Sequence, residues 1–217
     1  MNKVRVKICG IMTVEEALSC VRAGADAVGI IMGIRYLAED AVDAVSARKI
    51  LSRVPPFVSS VLVTHLVSST EIMELYKKVG TTAIQIQDAI SPDELKSLRK
   101  NIPHVRIIKS VHVVDRGAID EAKFWAPLAD GILLDSRTPE KIGGTGLVHD
   151  WNISRDIVGI IKKPVILAGG LTPENVIEAI DKVKPFAVDV NSGVEFRDGR
   201  KDPKRVADFI NRAKSWR

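Results

Sequence analysis

The chain has 217 residues, 46% of them apolar and 27% charged, with a net charge of +5; that is enough to build one large α/β domain around its own core. No apolar run approaches the length of a membrane span, and Met1 leads into a charged strand with no signal-peptide pattern, which argues against a membrane role. The basic residues are spread along the helical stretches and mixed with acids, without a basic block or interleaved aromatics, so the charge suits an anionic small substrate and not nucleic acid.

In chain order, strands and helices alternate. Val4–Ile8 is expected as a strand and Thr13–Ala23 as a helix capped by Thr13. Ala27–Met32 is a strand, followed by a helix near 41–51. Val58–Val63 is a strand and Ser69–Val79 a helix. Ala83–Ile86 is a strand, and Pro92–Lys100 a helix with Ser91 as its cap. Arg106–Val111 and Gly117–Trp125 form the fifth unit. Gly131–Leu134 is the sixth strand, with a long glycine-rich loop before a helix near 152–161. The seventh strand, Val165–Ala168, runs into Gly169-Gly170, and Thr172-Pro173 then opens a helix to Val183. The eighth, Phe186–Val190, runs into Asn191-Ser192-Gly193, with a last helix near 203–214. Eight such units in this length predict a single-domain (β/α)8 TIM barrel over residues 1–217, with an open doubly wound sheet as the alternative. The two cysteines, Cys9 and Cys20, have neither zinc-ligand spacing nor a disulfide framework, and a reduced, cytoplasmic setting follows as the default.

In a parallel barrel the chemistry lies at the C-terminal ends of the strands. The seventh and eighth strands each end in glycine turns that present bare backbone N–H groups, which suits a phosphate held by Gly169, Gly170, Ser192 and Gly193; two ordinary strand-to-helix turns are the plain alternative. Cys9 and Asp135 stand out as a base and acid pair. Lys7, two residues before Cys9 on the same strand face, is in place to lower the thiol's pKa and to reach a substrate, whereas the bland reading of Cys9 is a small buried hydrophobe. Asp189 lies between the glycine turns, placed to orient neighbouring groups or cap the last loop. Cys20 falls on an apolar helix face.

Lys7-Ile8-Cys9-Gly10-Ile11, Ala23-Gly24-Ala25-Asp26-Ala27, Leu133-Leu134-Asp135-Ser136, Gly143-Gly144-Thr145-Gly146, Leu167 through Asn175, Val188 through Glu195 and Lys201-Asp202-Pro203 together resemble the phosphoribosylanthranilate isomerases, in the family's order and over almost the whole chain. The resemblance implies a cofactor-free and metal-free barrel of the tryptophan pathway, working as a monomer or homodimer on a phosphorylated small molecule by an Amadori rearrangement. It implies that Asp135 is the general acid that opens the furanose and Cys9 the base that takes the C2′ proton. It implies that Arg35, matching an Arg-Tyr pair, holds the anthranilate carboxylate, a bidentate fit for a guanidinium. The chain departs from the family in a short link, Met32-Gly33-Ile34, before Arg35, in Thr64-His65 after the third strand, and in Gln87 where a histidine is usual. A same-fold isomerase for another phosphoribosylamine and a non-catalytic phosphate-binding barrel stay open as alternatives.

Overall fold

The computed structural model describes residues 4–34, 40–138, 141–142 and 148–216. Among them, eight parallel strands close into a barrel in the order β1 (Arg5–Ile8), β10 (Ala187–Val190), β9 (Val165–Leu167), β6 (Gly131–Asp135), β5 (Arg106–His112), β4 (Ala83–Ile86), β3 (Ser59–Thr64) and β2 (Ala27–Ile31). The remaining two strands, β7 (Arg137–Thr138) and β8 (Lys141–Ile142), make a small antiparallel ladder inside the loop that follows β6. That ladder was not expected from the sequence, which reads there only as a glycine-rich loop.

The strands alternate as a pleated sheet must, with successive side chains on opposite faces. Leu62, Leu134 and Leu167 join the layer between barrel and helices, while their neighbours Val61, Val63, Leu133 and Ile166 point into the barrel. Both faces of each strand are covered, which is why the strands read as unbroken apolar runs. The helices α1 (Val14–Ala23), α2 (Ala44–Leu51), α3 (Ser69–Val79), α4 (Pro92–Asn101), α5 (Gly117–Trp125), α6 (Trp151–Ile160), α7 (Val176–Val183) and α8 (Pro203–Ser215) wrap the outside. The charged side chain of Lys109 on β5 is buried in this outer layer, where its ammonium donates to the Ser110 carbonyl and lies 5.5 Å from the centre of the Trp125 ring.

The helix starts follow their caps. Thr13 accepts from the Glu16 N–H while the Glu16 carboxylate reaches back to the Thr13 N–H, and Ser91 accepts from the Glu94 N–H. Two starts differ from expectation. Helix α2 begins at Ala44 and not near 41, because Ala41 bridges to Ile31, the Val42 N–H bonds the Ile31 carbonyl, and Asp43 takes the capping position on Ser46. Helix α7 begins at Val176 and not at Pro173, because the Asn175 side chain accepts from the Thr172 N–H and donates to the Gly170 carbonyl, so that residues 173–175 form a turn. No helix among the described residues is long and apolar enough to cross a membrane.

Candidate active site

The strand order decides which groups meet. Cys9 follows β1, Asp135 closes β6, and the two strands between them are β10 and β9, the ones that end in glycine turns. The two chemically distinctive side chains therefore stand on either side of both turns, at the C-terminal mouth of the barrel.

Lys7 and Asp189 are register partners on β1 and β10, and they form an ion pair of 2.6 Å with both side chains 6% exposed. The same ammonium donates to Gln85 Oε1 on β4, 3.1 Å away, and its charge acts on the Cys9 thiol. Desolvation works against the Lys7 charge, but Asp189 and Cys9 more than offset it, and its pKa is raised. Asp189 keeps its second oxygen, Oδ1, buried without a partner among the described residues. A buried acceptor with nothing to accept from suits a ligand's hydroxyl.

Cys9 packs with Ile31, Val61, Val63 and Ala83 inside the barrel. This apolar wall corrects the expectation that Lys7 would leave Cys9 with a depressed pKa. Lys7 does pull it down, but burial outweighs that pull and holds the thiol up at about 11. Room for the pair comes from Gly29 on β2. A Cβ added there would stand 2.9 Å from Cys9 Sγ and 2.9 Å from Lys7 Cε. Sequence reading passed over Gly29, although a lone glycine in the middle of a strand signals a close approach.

Asp135 is pushed up to about 6, chiefly by burial; hydrogen bonds from Gln87 and from the Ser136 N–H oppose the shift. Gln87 Nε2 donates to Asp135 Oδ2 at 2.8 Å, and the Ser136 N–H donates to Oδ1 at 2.8 Å. Gln87 in turn accepts on Oε1 from Ser110 Oγ at 2.7 Å and from Gln85 Nε2 at 2.9 Å. Ser136 is tied outward, its hydroxyl bonded to His149, whose other ring nitrogen meets Ser154 on α6. Burial holds His149 down at about 4, so this link is neutral.

The two glycine turns touch each other. A Cβ on Gly193 would fall within bonding range of the Leu171 carbonyl oxygen, so the glycine lets the turn after β10 lie directly on the turn after β9. Gly169 has φ +79° and Gly170 φ +68°, the left-handed region that favours glycine. Ser192 and Gly193 open a one-turn 3-10 helix, Ser192–Val194. Among the described residues no acceptor takes the N–H of Gly169, Gly170, Ser192 or Gly193. Arg205 braces the pair of turns by donating to the Gly193 carbonyl and to Glu174. Lys201 is buried behind them, bonded to Asn191 Oδ1 and to Glu195, while Asp202 caps α8. Sequence analysis therefore placed Lys7, Cys9, Asp135, Gly169, Gly170, Asp189, Ser192 and Gly193 on one rim. Arg35 lies outside the described residues, as do Gly143, Gly144, Thr145 and Gly146. Among the described residues there is no cluster of three or more His, Cys, Asp or Glu side chains that could hold a metal ion.

Known proteins share this chain's sequence and fold. The family described as N-(5′-phosphoribosyl)anthranilate (PRA) isomerase matches residues 6–212. An N-(5′-phosphoribosyl)anthranilate isomerase of Methanosarcina mazei is 44% identical over 214 residues, covering 98% of this chain and 95% of that protein. The crystal structure of the phosphoribosyl anthranilate isomerase of Thermotoga maritima superposes with a TM-score of 0.86 at 37% identity, covering 98% of this chain and 99% of that one. A phosphoribosyl anthranilate isomerase in complex with reduced 1-(o-carboxyphenylamino)-1-deoxyribulose 5-phosphate superposes with a TM-score of 0.82 at 34% identity, covering 98% and 99%.

Proposed function

The chain belongs to the N-(5′-phosphoribosyl)anthranilate isomerase family, and from that membership we propose that Asp135 and Cys9 are the acid and base of its reaction. The activity is the Amadori rearrangement of N-(5-phosphoribosyl)anthranilate to 1-(2-carboxyphenylamino)-1-deoxyribulose 5-phosphate, an aldose–ketose isomerisation in tryptophan biosynthesis. The observation that carries the assignment is a buried carboxyl near its neutral range on β6 and a buried thiol beside an ammonium at β1, on opposite sides of two turns with free N–H groups.

Asp135 gives its proton to the furanose ring oxygen as the C1′–O bond breaks, and the anthranilate nitrogen's lone pair forms the iminium. Cys9 as thiolate takes the C2′ proton, and the C–H electrons flow toward the iminium to give the enolamine, which tautomerises to the ketone. The iminium's charge acidifies C2′ and attracts the thiolate, and Lys7 holds that thiolate by charge. Phosphate sits on the backbone N–H groups of Gly169, Gly170, Ser192 and Gly193, where oriented amides favour an anion. Asp189 Oδ1 accepts a sugar hydroxyl, and Arg35 holds the anthranilate carboxylate. We place the enzyme in the cytoplasm, as a monomer or homodimer.

Proton bookkeeping sets the pH dependence. With Asp135 near 6 and Cys9 near 11, the dominant form at neutral pH is carboxylate and thiol. The reactive form, carboxyl and thiolate, holds the same number of protons. Its share is therefore constant between the two values and falls outside them, so kcat/KM should plateau between limbs near pH 6 and pH 11. The test is turnover of freshly made phosphoribosylanthranilate, followed by its fluorescence. Cys9→Ala and Asp135→Asn should each lower kcat by roughly two to four orders of magnitude, with a product analogue still bound within about tenfold. Near-normal turnover in either variant rejects the assignment. Arg35→Ala should weaken the substrate, but not an analogue that lacks the carboxylate; equal losses would move the carboxylate site elsewhere.

A further inference from the structure

The amides between the two halves of the site have a fixed polarity. An ammonium donates and never accepts. The atom of Gln85 that meets Lys7 must therefore be Oε1, 3.1 Å away. Its other end is then Nε2, a donor, and what it meets on Gln87 at 2.9 Å must be an acceptor, Oε1. Ser110 Oγ donates to that same oxygen at 2.7 Å and reinforces the choice. Gln87 is left with Nε2 pointing at Asp135 Oδ2, 2.8 Å away. Neither amide can rotate end for end without setting a donor against a donor. Gln85 and Gln87 are 3% and 5% exposed, so water cannot take over for a misplaced end.

We infer that Gln85 and Gln87 are positioning residues, a hydrogen-bond relay whose direction is set by the Lys7 ammonium and which holds the Asp135 carboxyl in one orientation. The relay runs from β1 to β4 and on to β6, so the charge beside the base fixes the geometry of the acid. With Gln87 on Oδ2 and the Ser136 N–H on Oδ1, each carboxyl oxygen already accepts one bond. The acidic proton is left the lone pairs that neither donor uses, and rotation about the carboxyl axis would forfeit both bonds. Gln87 thus contributes a neutral donor that does not titrate with the site.

Among the described residues, the charged groups that act on Asp135 include Lys7 on β1 and Asp189 on β10. His112, its register partner on β5, meets the Gln87 backbone carbonyl, and His149 reaches the adjacent Ser136. Gln87 Nε2 donates to Oδ2 and the Ser136 N–H to Oδ1, so loss of Gln87 Nε2 removes the Oδ2 bond that the relay supplies.

The inference rests on Asp135 being the acid, and the experiment separates the two. The pKa of Asp135 is read by carboxyl-carbon NMR of the labelled full-length enzyme, a measurement that needs no turnover, alongside the lower limb of kcat/KM. Gln87→Met removes the donor to the carboxylate and should raise the Asp135 pKa by about one unit. The limb should follow with KM changing little, and kcat should fall although the higher pKa enlarges the reactive carboxyl–thiolate share on the plateau, because the carboxyl is no longer aimed. Gln85→Met does not touch Asp135 yet should move the same pKa upward, because Gln87 loses the partner that aims it. Ser110→Ala, a milder change suited to the case in which either methionine variant fails to fold, should move it by a smaller amount in the same direction. Gln87→His restores an N–H donor and should bring the pKa back toward the wild-type value. A pKa within about 0.2 units of wild type in the Gln87 and Gln85 variants, or in Ser110→Ala if those do not fold, overturns the relay. If the pKa moves but the limb does not and Asp135→Asn is active, it is the acid assignment that fails.

Discussion

Replacing Gly29 by alanine adds a single methyl group to the inner wall of β2, beside the base. The backbone there is ordinary extended strand, so the change tests space and not conformation. The new Cβ would stand 2.9 Å from Cys9 Sγ, 2.9 Å from Lys7 Cε and 3.2 Å from Cys9 Cα. Restoring an ordinary contact of about 3.6 Å requires the sulfur to retreat by about 0.7 Å. The Cys9 backbone cannot simply yield, because its N–H is bonded to the Val190 carbonyl at 2.9 Å. A displacement of this size at a proton-transferring atom costs roughly ten- to a hundredfold in kcat. Overpacking should also cost about 1–3 kcal/mol of stability. The phosphate turns lie on other strands, so affinity for a product analogue should stay close to wild type. The assay is steady-state turnover together with analogue binding and a denaturant melt. A double-mutant cycle sharpens it: with Cys9→Ala already in place the sulfur is gone, and Gly29→Ala should destabilise less than it does in the parent. A kcat within twofold of wild type would refute the reasoning, as would full additivity of the two stability losses.

Gly193→Ala would drive a methyl group into the Leu171 carbonyl and separate the two glycine turns, so KM for the phosphorylated substrate should rise at least tenfold while kcat falls much less; an unchanged KM counts against the phosphate site. Lys109→Met tests the buried lysine outside the site. Burial lowers its pKa to about 8 from 10.5, so between those values the unfolded chain binds more protons than the folded one and stability rises with pH. Below pH 8 the full burden of burying the charge remains, and methionine should therefore stabilise the enzyme at pH 7 by about 2 kcal/mol, once the lost Ser110 bond and ring contact are allowed for. That advantage should shrink as the pH approaches 10.5; equal unfolding midpoints at pH 7 would show that the lysine is not a burden.

Local chemistry made most of the architecture legible. Thr13 and Ser91 before Pro92 mark helix starts through bonds that span three residues, and the strands show themselves as apolar runs because both faces are covered. Where a start was misjudged, at α2 and α7, the deciding bond came from a partner the local pattern does not reveal: Ile31 for the segment at 41–43, and the Gly170 carbonyl for Asn175. Cys9, Asp135 and the two glycine turns were readable because strand ends and glycine pairs are local features, and because the motifs keep a known order.

What the tertiary structure alone decided are the environments and the pairings. Lys7 meets Gln85 across 78 positions of sequence and Asp189 across 182. No periodicity encodes such partners; barrel closure brings β1 against β10 and sets the register that places them. The same closure wraps Cys9 in apolar side chains, so that the cost of desolvating a thiolate exceeds what a neighbouring ammonium returns, and the thiol rises where the sequence alone suggested it would fall. Residue identity supplied the candidate acid and base; burial, which depends on the whole chain at once, set their protonation.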